Sequence, residues 1–337
     1  MNSISKGIAV STRIRLARNL EGYPFPSHLK GDKQAKEIIR LVSSGLSRLD
    51  DFKLYYMDGI TDERAVCLME NHLISPLLIR NKRYSAALIN SKENISVMIN
   101  EEDHLREQCI VKGLDLRQAY DTLSEVDARI SRTMKFAFDE QFGYLTACPT
   151  NLGTGLRASV MLFLPAITVN GRAGEVIDDM SFSGLTVRGV YGEGSDAEGY
   201  MYQISNEVTL GVSEDEILAE VEDEVLKICE LEVSERFALK KCSAALDIKD
   251  ECMRAYGVLT NCAKLSTKEM INLTSDVKLG ACLGYIGIDD VSAIDELVVK
   301  LSPSNITAAA DRPLTPLERD VYRAEACAKA LKKITAV

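Results

Sequence analysis

Three separated segments hold arginines in unusual company. Ser11-Thr12-Arg13-Ile14-Arg15-Leu16-Ala17-Arg18 sets Arg13 and Arg15 two residues apart, on one face if the segment is extended. Cys148-Pro149-Thr150-Asn151-Leu152-Gly153-Thr154-Gly155-Leu156-Arg157 is a glycine-rich run that ends in a third arginine, with Ala158, Ser159, Val160 and Met161 following. Arg188-Gly189-Val190-Tyr191-Gly192-Glu193 joins another arginine to a carboxylate among glycines. Forked guanidinium donors suit phosphate oxygens, and phosphoryl transfer needs positive charge around the phosphates and a placed nucleophile. The familiar phosphate loops are absent: there is no Gly-x-x-x-x-Gly-Lys-Ser/Thr run and no protein-kinase set of Gly-rich loop, His-Arg-Asp and Asp-Phe-Gly. Taken singly, each segment is ordinary. A lone arginine is usually a solvated charge, and Gly-Thr-Gly is usually a turn.

The elements that must position these residues have their own signals. Glu93–Asn100 alternates Ile95, Val97 and Ile99 with polar neighbours, the pattern of a half-buried strand. It runs into Glu101-Glu102-Asp103-His104, after which a helix-compatible stretch continues to about Phe138, so the acidic cluster reads as the first turn of a helix. From Gly143 to Tyr202 glycines are frequent and helical periodicity is weak, which predicts strands, turns and mobile loops. Ser213-Glu214-Asp215-Glu216 is a capping box before the amphipathic run Ile217, Leu218, Val221, Val225 and Leu226. Beyond about Glu235 the chain reads as almost wholly helical, with Thr315-Pro316-Leu317-Glu318 opening one more capped helix. A mixed α+β domain at 1–235 followed by a smaller helical one at 236–337 is the expectation.

Bulk properties narrow the function. The 337 residues are 46% hydrophobic and 27% charged, which suits a globular protein with a substantial core. Nine scattered cysteines with no Cys-x-x-Cys pair argue against a disulfide framework and against a zinc site. No apolar run approaches the ~18 residues of a membrane span. Met1–Val10 lacks the regions of a signal peptide, so a cytoplasmic protein without a membrane partner is expected. The net charge of −10 disfavours direct nucleic-acid binding, and any anionic ligand must meet a local arginine cluster.

Together the segments resemble the phosphagen kinases, the ATP:guanidino phosphotransferases. The resemblance is carried by Cys148–Arg157, by Ser11-Thr12-Arg13-Ile14-Arg15, by Asn100-Glu101-Glu102-Asp103-His104-Leu105-Arg106 and by Arg188–Glu193, in the family's order. It implies an antiparallel sheet flanked by helices. It implies further that Arg13, Arg15, Arg106, Arg157 and Arg188, with their motif neighbours Ser11, Thr12, Ile14, Ala158–Met161 and Gly189–Gly192, bind ATP. His72 stands where the family has a nucleotide-contacting histidine. Glu102 and Glu193 match the two carboxylates that hold the acceptor guanidinium, and Cys148 matches the reactive cysteine. Two carboxylates can fix a guanidinium so that one nitrogen faces the γ-phosphorus, and one of them can take the departing proton. Mg²⁺ is implied as a companion of ATP, held mainly by the phosphates, so no metal-ligand cluster is expected.

The choice of acceptor also rests on resemblance. Creatine and arginine kinases carry a helical domain of roughly a hundred residues ahead of the Ser-Thr-Arg-x-Arg motif, whereas here that motif begins at Ser11. A more open acceptor pocket is expected, one that suits an arginine on a protein surface. Arg319-Asp320-Val321-Tyr322-Arg323-Ala324 places Arg319 and Arg323 at i,i+4 on one helix face. It reads either as a solvent-exposed helix with local charge pairing or, by resemblance to bacterial protein-arginine kinases, as a phosphoarginine-binding motif. That resemblance implies a homodimer, protein substrates with exposed arginines, a zinc-binding activator protein, a heat-shock repressor and a Clp ATPase as partners. It also implies a stress-response duty in protein quality control. A kinase of free arginine and an inactive phosphoarginine-binding adaptor are the alternatives.

Overall fold

The computed structural model describes residues 3–29, 31–46, 51–189, 198–310 and 312–334. Eight strands form one sheet: β1 (Ala9–Arg18), β2 (Phe52–Tyr56), β3 (Ala86–Asn90), β4 (Ile95–Ile99), β5 (Leu105–Lys112), β8 (Leu156–Phe163), β9 (Leu185–Gly189) and β10 (Met201–Asn206). A two-stranded hairpin, β6 (Phe138–Asp139) with β7 (Gly143–Tyr144), stands apart. The sheet order is β2-β3-β4-β5-β1-β8-β10-β9, and every neighbouring pair is antiparallel. The helices are α1 (Asp32–Leu46), α2 (Asp62–Glu70), α3 (Pro76–Arg80), α4 (Leu116–Ser131), α5 (Pro165–Val169), α6 (Ala173–Phe182), α7 (Glu214–Leu239), α8 (Ala245–Asn261), α9 (Thr267–Cys282), α10 (Ser292–Lys300), α11 (Pro303–Ala310) and α12 (Pro316–Ile334). The α+β class and the helical C-terminal region are as expected.

The strand period of two divides the sheet into faces. Ile14 and Leu16 of β1, Ala158 and Val160 of β8, and Tyr202 and Ile204 of β10 pack on α1, α4 and α7 in the largest apolar core. The alternate residues, Arg13, Arg15, Arg157, Ser159, Gln203 and Ser205, therefore share the opposite face. Toward β2–β4 that face is covered by α2 and α3 through Leu68 and Leu78. A further core gathers α8–α12 with Phe163 and Ala166. α7 spans 26 residues, starts at the Ser213–Glu216 capping box and continues through Glu235 to Leu239. It serves the sheet core through Ile217–Cys229 and the helical core through Leu239.

Three local expectations are corrected. Residues 105–112 are strand β5, not helix, because pairing to β1 and β4 on both sides outweighs local propensity. The helix begins only at Leu116, with Asp115 accepting from the Gln118 amide as its cap. Glu101–His104 is accordingly a tight connection between strands and no helix start: Asn100 has φ +59 and its amide reaches the His104 carbonyl at 2.9 Å. β4 is buried along its whole length, since Met98 packs under α2 and α3 while Val97 faces the main core. Within Gly143–Tyr202, the stretch Ala173–Phe182 is helix α6.

Candidate active site

On the open face the register sets like charges against each other. Arg15 lies directly opposite Arg157 across β1 and β8, Arg13 opposite Ser159, and Arg188 opposite Gln203. Like charges facing each other across strands are destabilising, so the arrangement costs the fold stability when nothing anionic is bound. Their partners do not discharge them. Arg13 donates Nη2–H to the neutral Gln203 Oε1 at 2.6 Å, and Arg157 donates to the neutral Ser205 Oγ at 2.9 Å. Among the described residues Arg15 Nε is buried and has no acceptor. Only Arg106 meets a carboxylate among these bonds, its Nη1 lying 2.9 and 3.0 Å from the two oxygens of buried Glu101.

Electrostatics follow from that geometry. Burial, then Arg106 and Arg157, lower the Arg13 pKa to about 10. Burial and the charges of Arg13, Arg106 and Arg157 push Arg15 well below its ordinary value, and burial with Arg188 and Arg106 lowers Arg157. A guanidinium whose pKa falls for these reasons is short of negative charge, and a polyphosphate supplies it.

These side chains open onto a cleft of about 470 Å³ lined by Arg13, Arg15, Arg106, Arg157, Arg188 and Gly189, together with Glu102 and Cys148. Glu102 is exposed to it, and partial burial plus the charges of Asp103 and Glu101 raise its pKa, which makes it a better proton acceptor. Cys148 Sγ lies 3.1 Å from Thr150 Oγ1 at the rim. The acidic turn and the cysteine loop are tied together. Asp103 accepts from Asn19 Nδ2 at 2.6 Å and from the Ala147 amide at 2.7 Å, while Asn19 also donates to Leu145 O and accepts from the His104 amide. His104 is fully buried: Nδ1 accepts from the Leu20 amide, so the ring proton sits on Nε2 and is donated to Pro24 O. Gly153 and Gly155 are required by close approach. Both have positive φ, and a Cβ on Gly155 would stand 2.6 Å from Ala17 O.

The remaining sequence candidates lie elsewhere. Thr12, Ile14, Ala158 and Val160 face the core. Ser159 is buried and donates to Arg13 O at 3.1 Å; Ser11 and Met161 are half-buried. His72 follows α2 and is exposed; surrounding protein atoms and the charge of Arg13 lower its pKa. Val190, Tyr191, Gly192 and Glu193 lie outside the described residues. Sequence reasoning missed Glu101, Asp103, Gln203 and Ser205. Gln203 and Ser205 are two apart like Arg13 and Arg15, the one signal that could have placed them on the same face.

In α12, Arg319 is half-buried and donates to Leu314 O at 3.0 Å. Arg323 is 1% exposed, with Nε on Leu301 O at 3.0 Å and Nη1 on Leu265 O and Asp320 Oδ1 at 2.7 Å each. The solvent-exposed reading does not describe this arginine. Ala324 is buried in the helical core.

Comparison with known proteins decides the family. Residues 34–235 match the model of the ATP:guanido phosphotransferase C-terminal catalytic domain, and residues 245–337 match the protein-arginine kinase McsB C-terminal domain. A protein-arginine kinase of Caldanaerobacter subterraneus is 42% identical over 99% of both chains, and one of Geobacillus stearothermophilus is 41% identical over 94% of this chain and 88% of its own. The chain belongs to the protein-arginine kinases of the ATP:guanido phosphotransferase family. Among solved structures, the duplicated taurocyamine kinase of Schistosoma mansoni is similar at a TM-score of 0.62 and 27% identity over 78% of this chain, which spans 39% of that longer protein. Lombricine kinase is similar at 0.59 and 27% identity over 67% of this chain and 66% of its own. The match to the catalytic-domain model takes in His72, Glu102, Cys148 and most of the clamp, and begins beyond Arg13 and Arg15.

The family implies ATP, with Mg²⁺ carried on it. Among the described residues no cluster of three or more His, Cys, Asp or Glu side chains could hold a metal ion, and no helix is long and apolar enough to cross a membrane. The donor set fits a polyphosphate, because Arg13 and Arg157 are held by neutral oxygens and Arg15 Nε has no acceptor among the described residues.

Proposed function

We propose that this protein transfers the γ-phosphoryl group of ATP to arginine side chains of other proteins. The observation that carries the reading is the set of under-neutralised arginines sharing one cleft with Glu102, whose pKa is raised. Arg13, Arg15, Arg106, Arg157 and Arg188 hold the phosphate oxygens with forked donors and restrict the γ-phosphorus to one position. Glu102 and Glu193 hold the acceptor guanidinium, which is fully protonated near neutral pH. As the N–P bond forms and the bond from γ-phosphorus to the ADP oxygen breaks, Glu102 takes the nitrogen's proton. Cys148 at the rim orients the guanidinium. His72 contacts the nucleotide. Mg²⁺ on the nucleotide would neutralise the phosphate charge that the arginines leave uncovered.

The wider role belongs to the same proposal. Residues 1–235 act as the catalytic domain and residues 236–337 as a dimerisation and phosphoarginine-binding domain. In the latter, Arg319 supplies the accessible guanidinium, while Arg323 holds Asp320 in place beside Ala324. The enzyme works in the cytoplasm as a homodimer with a zinc-binding activator. It marks stress-damaged proteins or a heat-shock repressor for a Clp ATPase, and phosphorylation withdraws arginine's charge from the marked site.

The test gives the protein Mg-ATP with an unfolded, arginine-rich protein in one vessel and free arginine in another, and follows acid-labile N–P product by phosphorus NMR. Phosphate on protein arginines alone supports the reading. Product from free arginine alone overturns it in favour of a metabolic kinase, and no transfer with retained phosphoarginine binding overturns it in favour of an adaptor.

A further inference from the structure

Away from the cleft, one junction joins the C-terminal helices to the end of α2. Asn305 of α11 and Asn71, the residue that ends α2, exchange amides: Asn305 Nδ2 donates to Asn71 Oδ1 at 2.9 Å, and Asn71 Nδ2 donates to Asn305 Oδ1 at 3.3 Å. Asn305 Nδ2 also reaches Val299 O at 2.8 Å, which fixes the amide's orientation. Beside this pair the Ser304 amide donates to Glu70 Oε2 at 2.9 Å, and the Cys67 thiol donates to Asn305 Oδ1 at 3.4 Å. Apart from the bond to Val299 O, these bonds cross between the C-terminal helices and α2 with its end.

The next residue is His72, which has φ +59. A non-glycine residue in the left-handed region is strained by about 1 kcal/mol or more and persists where its surroundings hold it from more than one side. One hold comes from the sheet, because Gln108 Nε2 donates to His72 O and Gln108 lies opposite Arg15 in the β1–β5 register. The helix end itself supplies another, the His72 amide donating to Met69 O and the Leu73 amide to Leu68 O at 2.9 Å each, and the helical region braces that end through Asn305 and Asn71. Through Gln108, which is bonded to His72 O and stands opposite Arg15, His72 is tied to the strands that carry the phosphate clamp, and the charge of Arg13 helps lower its pKa.

We infer that Asn305 is a positioning residue for nucleotide binding: by fixing Asn71 it holds His72 in its left-handed conformation, so that the helical region completes the ATP site of the sheet region. This rests on the reading of His72 as a nucleotide contact.

The experiment compares the full-length protein with Asn305→Ala, His72→Ala and the double variant, measuring KM for ATP, kcat and binding of Mg-AMP-PNP. Asn305→Ala is expected to raise KM and weaken binding by about threefold to tenfold, the effect of one lost hydrogen bond, with kcat within about twofold. The double variant is expected to be no weaker than His72→Ala alone. Thr307→Val removes a hydroxyl bonded to Pro303 O on the same helix and serves as the stability control, with KM unchanged. If His72→Ala raises KM while Asn305→Ala leaves it alone, or if the two effects add, the inference falls and the His72 reading stands. If His72→Ala leaves nucleotide binding unchanged, the His72 reading falls and the inference with it.

Discussion

Arginine serves two opposite purposes in this molecule. In the cleft, Arg13 and Arg157 are oriented by neutral oxygens, Arg15 Nε has no acceptor among the described residues, and burial pulls all three pKa values down. In α12, Arg323 is more deeply enclosed, yet two backbone carbonyls and Asp320 receive its donors. Burial alone therefore does not mark a functional arginine. Buried donors left without negative charge mark one, because the fold tolerates that cost only where a ligand relieves it. Arg323 works as a cross-brace that ties α12 to the α8–α9 connection at Leu265 and to the end of α10 at Leu301.

The comparison can be broken most severely at its catalytic edge. Glu102→Gln is expected to lower kcat by ~10³ or more, the usual range for losing a general base, while nucleotide affinity by titration stays within about twofold. Retained turnover would remove Glu102 from the chemistry. Next come paired substitutions of opposite sign. Arg15→Met should cost ~10² in kcat/KM yet leave denaturant stability equal or higher, since it relieves the Arg15–Arg157 opposition. Arg323→Met should lower stability by about 2–3 kcal/mol, because Leu265 and Leu301 carbonyls and Asp320 lose their donor. If Arg15→Met destabilises as much as Arg323→Met, the distinction drawn above is wrong.

A third probe uses a buried group that is satisfied only when neutral. Burial holds the His104 pKa at about 4, below its unfolded value. The contribution is therefore complete above about pH 6.5 and is lost as pH falls toward 4. Wild-type stability should drop by about 1–3 kcal/mol over that window from this residue, and His104→Gln should flatten the slope in urea titrations at several pH values. The smallest expected change is Gln203→Glu. A carboxylate on Arg13 discharges part of the clamp and should raise KM for ATP about fivefold, whereas Gln203→Ala, which leaves the charge free, should move it less. Equal effects would show that orientation matters there and charge does not.

What could be read from the chain was local. The alternation of Arg13 and Arg15 with Ile14 and Leu16 holds because period two is written in the residues themselves. Both capping boxes, Ser213 with Glu216 and Thr315 with Glu318, form as their spacing says. β5 was hidden because its core-facing row is Leu105, Glu107, Cys109, and a charged residue in the middle breaks the apolar alternation. Glu107 is fully buried, and burial with the neighbouring Asp127 charge raises its pKa well above the carboxylate range. Arg323 was hidden for a related reason: a charged residue on a capped helix reads as surface. The spacing of Ala324, Cys327 and Leu331 does mark the apolar side on which it sits. The Asn71–Asn305 pair spans 234 positions, and nothing in either neighbourhood points to the other. The acceptor motif at Val190–Glu193 lies outside the described residues, so its part in the site stands on family resemblance and the proposal above.

The placement of β1 at the centre of the sheet constrains how this lineage can change. One strand supplies Ile14 and Leu16 to the core and Arg13 and Arg15 to the cleft. Losing or gaining a single residue there exchanges the two rows, sending guanidiniums inward and aliphatic groups outward. A one-residue slip within Arg13–Leu16 is thus expected to cost the fold and not activity alone. Heredity can adjust this strand by substitution, but a one-residue change of length has to be absorbed by a bulge outside Arg13–Leu16, as the register shift between Ala9 and Ser11 shows is possible.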